Sequence, residues 1–204
     1  MGNNLNEGNY QFVLNHIIKK FANSDISTIS KLSNSPYDPN NNYFKMKFLN
    51  NTLYIKHPTG EVIFEDGKTL YDVSMKILII RFLVNANENT KETKKYISYK
   101  EIEGGYIYYP NFKERTISFF IKKYGNNLKL FEEQMKSIEA TKLNLGDTSY
   151  KVRFINDTYI AFILWEGDDE LQPSGNILFD SSVKSYFNAE DLAIIPDIIL
   201  KNLN

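Results

Sequence analysis

The sequence predicts an α+β fold, with two antiparallel β-meanders and about five to six helices around a central hydrophobic helix at about 69–85. Two observations predict this class. Apolar residues recur at helical spacing in several segments, whereas shorter segments alternate apolar and polar residues with the period of a half-buried strand. The strand candidates also cluster into two groups along the chain, and the helix candidates lie between and around them.

The N-terminal part predicts helices followed by a β-meander. Apolar residues at helical spacing run from Tyr10 to Phe21, and a second short helix carries Ile26, Ile29 and Leu32. We therefore divide the chain into an N-terminal helical segment, residues 1–33, and a single α+β domain, residues 34–204. The domain opens with three strand candidates: Tyr43–Leu49, Thr52–His57 and Glu61–Phe64.

The rest of the chain predicts the central helix, a second meander and more helices. The central helix carries apolar residues over most of its circumference, so it is expected to pack on two sides. Strand candidates follow at Tyr96–Tyr99 and, after the Gly104-Gly105 turn, at Tyr106–Tyr109. A capping box at Asn111 and Glu114 predicts the start of the next helix. Three further strand candidates and a last helix capped by Asn188 complete the pattern; the strands are Lys151–Ile155, Tyr159–Glu166 and Gly175–Asp180.

Composition excludes several classes of protein. The 204 residues contain no cysteine, which excludes disulfides, a thiol nucleophile and cysteine-ligated metal or iron–sulfur sites. The 24 basic and 25 acidic residues nearly cancel, so no global charge favours nucleic acid. The chain begins without the pattern of a signal peptide, and no apolar run reaches the length of a membrane span. We expect a cytoplasmic protein that binds neither nucleic acid nor membrane.

The acidic run Glu166–Glu170 is the feature most suggestive of function. If this run is an extended strand, Glu166, Asp168 and Glu170 share one face, and Asp180 ends a neighbouring strand candidate. Converging carboxylates need a cation, a proton or a basic partner, and they are ligands that magnesium or calcium prefers. The alternative is a solvated acidic loop in which Asp180 caps the turn that follows it.

Aromatic residues and one histidine are the other candidates. Trp165, the single tryptophan, either lines a ligand pocket or belongs to the core. Tyr106 and Tyr108 share a face if their segment is a strand, and they then form either a pocket wall or ordinary packing. His57 sits at a turn and is either structural or a ligand of a metal or tetrapyrrole. No nucleophile elbow and no nucleotide-binding glycine loop accompanies them.

The C-terminal motifs resemble a known family. Trp165, Gly167 and Asp168 are followed by Leu178-Phe179-Asp180, Tyr186 and Glu190-Asp191-Leu192. This series resembles the bacterial and archaeal family catalogued as domain of unknown function 3786. Upstream, Tyr96–Tyr99, Gly104-Gly105, Tyr124-Gly125 and Gly146-Asp147 look like further parts of the family pattern, so the resemblance covers about residues 36–202.

The resemblance implies no established activity. Some relatives carry a cysteine-rich segment that looks like an iron–sulfur domain, which implies a setting in anaerobic redox or corrinoid metabolism. This chain has no cysteine, so a cluster would have to belong to a partner.

We therefore expect a binding or accessory protein rather than an enzyme, because no catalytic constellation is present. The expected ligand is a flat cofactor of the haem or corrinoid type, or a redox or iron–sulfur partner protein. It would contact Trp165, Asp168, Glu170, Asp180, Tyr106, Tyr108 and His57. The alternative is a divalent-cation or carboxylate-dependent enzyme that uses Asp168, Glu170 and Asp180.

Overall fold

The computed structural model describes the backbone of residues 3–89 and 91–203, and the side chains from Asn9 onward within those ranges. The chain divides into two compact units, residues 1–90 and 91–204. Each unit contains one antiparallel sheet together with helices, which confirms the predicted α+β class and its two meanders. The domain boundary predicted between residues 33 and 34 stays a prediction.

The first unit contains three helices and a four-stranded meander. The helices are α1 (Asn3–Ala22), α2 (Ile26–Leu32) and α3 (Val73–Asn85). The strands pair in chain order: β1 (Tyr37–Asp38), β2 (Tyr43–Phe48), β3 (Asn51–Lys56) and β4 (Val62–Phe64). Helix α1 packs on α3 and also on the sheet, where the Phe21 ring lies 5.7 Å from that of Phe44.

Helix α3 is the hydrophobic helix that the sequence predicts, and it starts later than expected. The side chain of Asp72 accepts a hydrogen bond from the Met75 amide and caps the helix there, so residues 69–72 lie outside it. Four consecutive residues, Ile77–Ile80, are buried. Because consecutive helical positions point about 100° apart, their burial confirms that the helix is covered around its circumference.

The second unit contains a five-stranded antiparallel sheet in the order β5-β9-β8-β7-β6. Its strands are β5 (Tyr96–Ser98), β6 (Thr141–Leu143), β7 (Thr148–Arg153), β8 (Tyr159–Trp165) and β9 (Ser174–Asp180). Its helices are α4 (Gly105–Phe112), α5 (Phe119–Tyr124), α6 (Leu128–Ser137) and α7 (Ala189–Lys201). A π-helical segment, Lys113–Ser118, joins α4 to α5 in one continuous helical run.

The helical run covers one face of this sheet. The Phe120 ring lies 5.4 Å from that of Phe162 on β8, and Phe112 lies 6.2 Å from Phe179 on β9. Helix α7 is tied to the run by an ion pair of 3.0 Å between Arg115 and Asp197. The predicted N-cap of α7 is present at Asn188, and it forms a capping box because Asn188 and Asp191 exchange side-chain and backbone hydrogen bonds.

Two predictions for residues 106–114 are wrong. Tyr106–Tyr109 is not a strand but part of α4, and the helix begins at Gly105 rather than at Asn111. A Cβ on Gly105 would lie 2.0 Å from the carbonyl oxygen of Tyr99, so only glycine permits the helix to start this close to the preceding turn. Tyr106, Ile107 and Tyr108 are all exposed on this helix, so the β-favouring aromatic residues here do not indicate a buried strand.

Among the helices of the described residues, none combines the length and the apolar composition needed to cross a membrane.

The second unit contains two buried tyrosines whose hydroxyl groups have different surroundings. The Tyr150 hydroxyl is buried and has no hydrogen-bond partner among the described residues, whereas the Tyr99 hydroxyl donates to the Ala189 carbonyl at 2.8 Å. We expect Tyr150→Phe to leave the free energy of unfolding unchanged or to raise it by about 1 kcal/mol, because it removes an unsatisfied polar group. The matched variant Tyr99→Phe should lower it by about 1–2 kcal/mol.

Urea unfolding followed by circular dichroism measures both changes. Equal destabilisation by the two variants would show that the Tyr150 hydroxyl is hydrogen-bonded in the folded protein.

Candidate functional site

The single tryptophan lies at the surface of the second unit, at the end of β8. Trp165 is three residues from Phe162, so its side chain projects from the opposite face of the sheet to the one that α5 covers. Its side chain is 39% exposed. Of the two alternatives for Trp165, the structure thus excludes a fully buried core position.

The turn between β6 and β7 supports the indole ring. Gly146 has φ +58°, and a Cβ there would lie 2.7 Å from the Leu164 carbonyl oxygen and 3.2 Å from Cε2 of Trp165. Next to it, the Asp147 amide donates to the Leu164 carbonyl, and the Asp147 carboxylate accepts from the Glu166 amide at 2.7 Å. This turn therefore fixes the backbone on both sides of Trp165.

The loop between β8 and β9 is a hydrogen-bonded turn rather than an extended strand. The Asp168 carboxylate accepts from the amides of Glu170 at 2.8 Å and Leu171 at 2.7 Å, and the Asp168 amide donates to the Leu171 carbonyl. The amide hydrogen bonds from Glu170 and then Leu171 hold the pKa of Asp168 below its ordinary value. Residues 166, 168 and 170 therefore do not share one face of a strand, and of the two alternatives the structure shows the solvated acidic loop.

The two loops that adjoin Trp165 carry exposed apolar side chains and carboxylates. Leu145 is 40% exposed and Leu171 is 68% exposed. The same loops carry five carboxylates: Asp147, Glu166, Asp168, Asp169 and Glu170. Segments 143–149 and 165–176 contain no lysine and no arginine. We call these eight residues the Trp165 surface.

Asp180 does not belong to the Trp165 surface. Trp165 pairs with Ser174 at the start of β9, and Asp180 ends that strand, about 20 Å away at 3.3 Å per residue. Asp180 is fully buried, and its carboxylate accepts from the amides of Thr93, Lys94 and Ser182 and from the hydroxyls of Thr93 and Ser182. The three carboxylates of the predicted cluster therefore do not converge.

The comparison with known proteins identifies the family. The chain matches the family described as DUF3786, domain of unknown function, over residues 25–202. It belongs to the DUF3786 family. No curated protein and no solved structure shows a significant match to it.

Several motif residues that carried the resemblance to DUF3786 have structural roles here. Gly146 and Asp147 form the turn beneath Trp165, Asp168 forms the turn between β8 and β9, and Asp180 anchors the loop before β5. What these residues share is a hydrogen bond or close contact with backbone, so each fixes the shape of the chain.

Tyr106 and Tyr108 lie far from Trp165 in this DUF3786 chain. Both are exposed on α4, and the helical run between Tyr108 and Gly125 is about 25 Å long at 1.5 Å per residue. The end of the run at Gly125 is the one near Trp165, because Gly125 packs against Pro173 of the β8–β9 loop. The two tyrosines and Trp165 therefore do not line one pocket.

His57 lies in the first unit, unlike the other predicted site residues, which all lie in the second. Its ring packs on Phe21 at 5.1 Å, with Phe44 and Tyr37 within 6.4 Å. Its Nε2 atom is buried and has no hydrogen-bond partner among the described residues. A role for His57 as a ligand stays a prediction.

The described residues hold no group of three or more His, Asp or Glu side chains that could bind a metal ion. The arrangement required by the alternative of a cation-dependent enzyme using Asp168, Glu170 and Asp180 is thus not formed.

Sequence reasoning missed the apolar part of the Trp165 surface. Leu171 is the one aliphatic residue in the polar loop 166–174, and Leu145 stands between Asn144 and Gly146. No sequence signal distinguishes them, because single apolar residues in exposed loops are common.

The Asp180 end of the sheet generates a prediction about stability. We expect Asp180→Ala to lower the free energy of unfolding by about 2–3 kcal/mol, because three backbone amides lose a fully buried, charged acceptor. Urea denaturation of the purified protein measures it. Asp169→Ala is the control, since that exposed carboxylate makes no hydrogen bond or ion pair with a described residue; equal midpoints for both variants would contradict the role of Asp180.

A second prediction concerns Tyr96, which pairs with Asp180 across β5 and β9. Burial, together with the negative charges of Glu92 and Asp180, raises the pKa of Tyr96 to about 12. The raised pKa means that this tyrosine stabilises the fold fully below its unfolded pKa of about 10, and that the stabilisation is lost as pH rises from about 10 to about 12.

Ultraviolet titration of the wild type minus that of Tyr96→Phe isolates this phenol. A difference curve with a midpoint near pH 10, the ordinary value for tyrosine, would contradict the expected shift.

Proposed function

We propose that this chain is a non-enzymatic accessory protein that docks a partner protein through the Trp165 surface. The observation that carries the proposal is the exposure of the single tryptophan, together with an exposed leucine on each of the two adjoining loops. A tryptophan is more often buried in the core. Tryptophan is enriched among the residues that contribute most to protein–protein binding. Exposed apolar groups that cluster on a surface are typical of interaction sites.

The geometry supports a protein partner better than a flat cofactor. Tyr106 and Tyr108 lie on α4, and about 25 Å of the helical run separates Tyr108 from Gly125, the end of the run that lies near Trp165. The aromatic residues expected to line a cofactor pocket are therefore too far apart to contact one haem or corrinoid. The Trp165 surface is instead built from two adjacent loops and carries both apolar and charged groups, as the core and rim of a protein interface do.

The kind of partner is inferred from the family resemblance. Relatives that carry a cysteine-rich, iron–sulfur-like segment suggest a redox or iron–sulfur protein of anaerobic metabolism, in the cytoplasm of a bacterium. Because this chain has no cysteine, it would supply the docking surface and the partner would supply the redox centre.

A comparison of three forms of the protein tests the proposal. Wild type, Trp165→Ser and Tyr71→Ser are immobilised and exposed to extract of the source cells; Tyr71 is an exposed aromatic residue of the first unit and serves as the matched control. We expect a protein that the wild type and Tyr71→Ser retain and that Trp165→Ser loses. That protein is then purified, and calorimetry should give at least about tenfold weaker binding to Trp165→Ser.

Two outcomes would contradict the proposal. One is an identical set of bound proteins for all three forms. The other is recovery of a haem or corrinoid chromophore without any protein that depends on Trp165, which would favour the cofactor hypothesis.

A further inference from the structure

The carboxylates of the Trp165 surface fall into two groups. Asp147 and Asp168 accept hydrogen bonds from backbone amides and hold the two loops in shape. Glu166, Asp169 and Glu170 are exposed and make no side-chain hydrogen bond or ion pair with a described residue. The second group is therefore not required to shape the turn.

The negative charge is concentrated although the chain as a whole is almost neutral. Five carboxylates lie on segments that contain no basic residue, whereas the whole chain has 24 basic and 25 acidic residues. Like charges this close repel one another, and a positively charged partner relieves that repulsion when it binds. Complementary charge of this kind raises the association rate and rejects partners of the same sign.

Apolar and acidic groups together define the chemistry of the ligand. The apolar stem of a lysine or arginine side chain can pack on an exposed apolar group such as the Trp165 ring while its charged end binds a carboxylate. A guanidinium or ammonium group is also attracted to an indole face. From the charge complementarity we infer that the partner presents a basic segment, in which lysine or arginine side chains flank apolar ones. This inference rests on the proposed docking function and specifies its partner.

Trp165 is the single tryptophan of the chain, so its fluorescence reports on this surface alone. The probes are three short amphipathic peptides that share one leucine pattern and carry lysine, glutamine or glutamate at the polar positions. We expect the lysine peptide to shift the Trp165 emission to shorter wavelength and to saturate. Raising the salt to about 0.3 M should weaken its binding about tenfold, because salt screens exposed charges.

Two triple variants distinguish the effect of charge at the Trp165 surface from the effect of the net charge of the whole protein. The first is Glu166→Gln with Asp169→Asn and Glu170→Gln. The control is Glu65→Gln with Glu88→Gln and Glu133→Gln, which changes the net charge equally at exposed carboxylates that make no ion pair with a described residue. We expect about tenfold weaker binding of the lysine peptide to the first variant and unchanged binding to the control.

Three results would overturn the inference. The glutamine peptide would bind as tightly as the lysine peptide, both triple variants would lose affinity equally, or Mg²⁺ or Ca²⁺ alone would produce the emission shift and block the peptide. The inference can also fail by itself: a partner protein whose binding depends on Trp165 and is unaffected by the first triple variant would uphold the docking function and exclude a basic segment.

Discussion

The second unit depends on the buried carboxylate of Asp180. It lies in the interior and accepts hydrogen bonds from the amides of Thr93, Lys94 and Ser182, so its charge is compensated by backbone donors from two separate segments. These hydrogen bonds hold the loop before β5 against the end of β9, and the Ser181 amide adds a bond to the Lys95 carbonyl. The edge strand β5 can pair with β9 because both ends of this connection are fixed.

The helical run is held against the sheet at the β5 edge. Tyr99 comes directly after β5, stacks on Phe112 at 4.2 Å and donates to the Ala189 carbonyl, so it joins α4 and α7 to the strand. The far end of the run is fixed by Pro173, which packs so closely on Gly125 that no side chain fits there. Pro173 belongs to the loop that carries the acidic residues. Its contact with Gly125 therefore anchors this part of the Trp165 surface to the helical run.

The local parts of the fold could be predicted from sequence. Alternation of Phe44, Met46 and Phe48 with lysines places β2 correctly, and the Asn188 capping box marks the start of α7. The errors arise where a contact between residues that are distant in sequence determines the local structure. Gly105 starts a helix beside the Tyr99 carbonyl, a contact that local patterns do not reveal. Asp180 caps the turn that follows it by accepting from the Ser182 amide, which confirms the alternative of a capping role. Its hydrogen bonds to Thr93 and Lys94, 87 and 86 residues earlier, could not be read from local sequence.

The candidate site could be predicted only in part for the same reason. Trp165 and the acidic run are visible in the sequence, but the residues around a tryptophan do not show whether its side chain is buried or exposed. The acidic run could be an extended strand or a loop, and the loop forms because the Asp168 side chain accepts hydrogen bonds from the amides two and three residues later. The leucines were missed since a lone apolar residue in a loop has no periodicity.

The carboxylates of the Trp165 surface have two roles: some hold the loops in shape, and others are available to a partner. A tight loop with four acidic residues in five positions would be destabilised by repulsion if all of them were unpartnered. Asp168 offsets this because its charge is shared with two amides, and Asp147 does the same for the adjoining turn. The loops therefore keep a fixed shape while Glu166, Asp169 and Glu170 retain their charge for solvent or a partner. A surface that is already ordered loses little conformational entropy on binding, which favours docking through Trp165 over folding on contact.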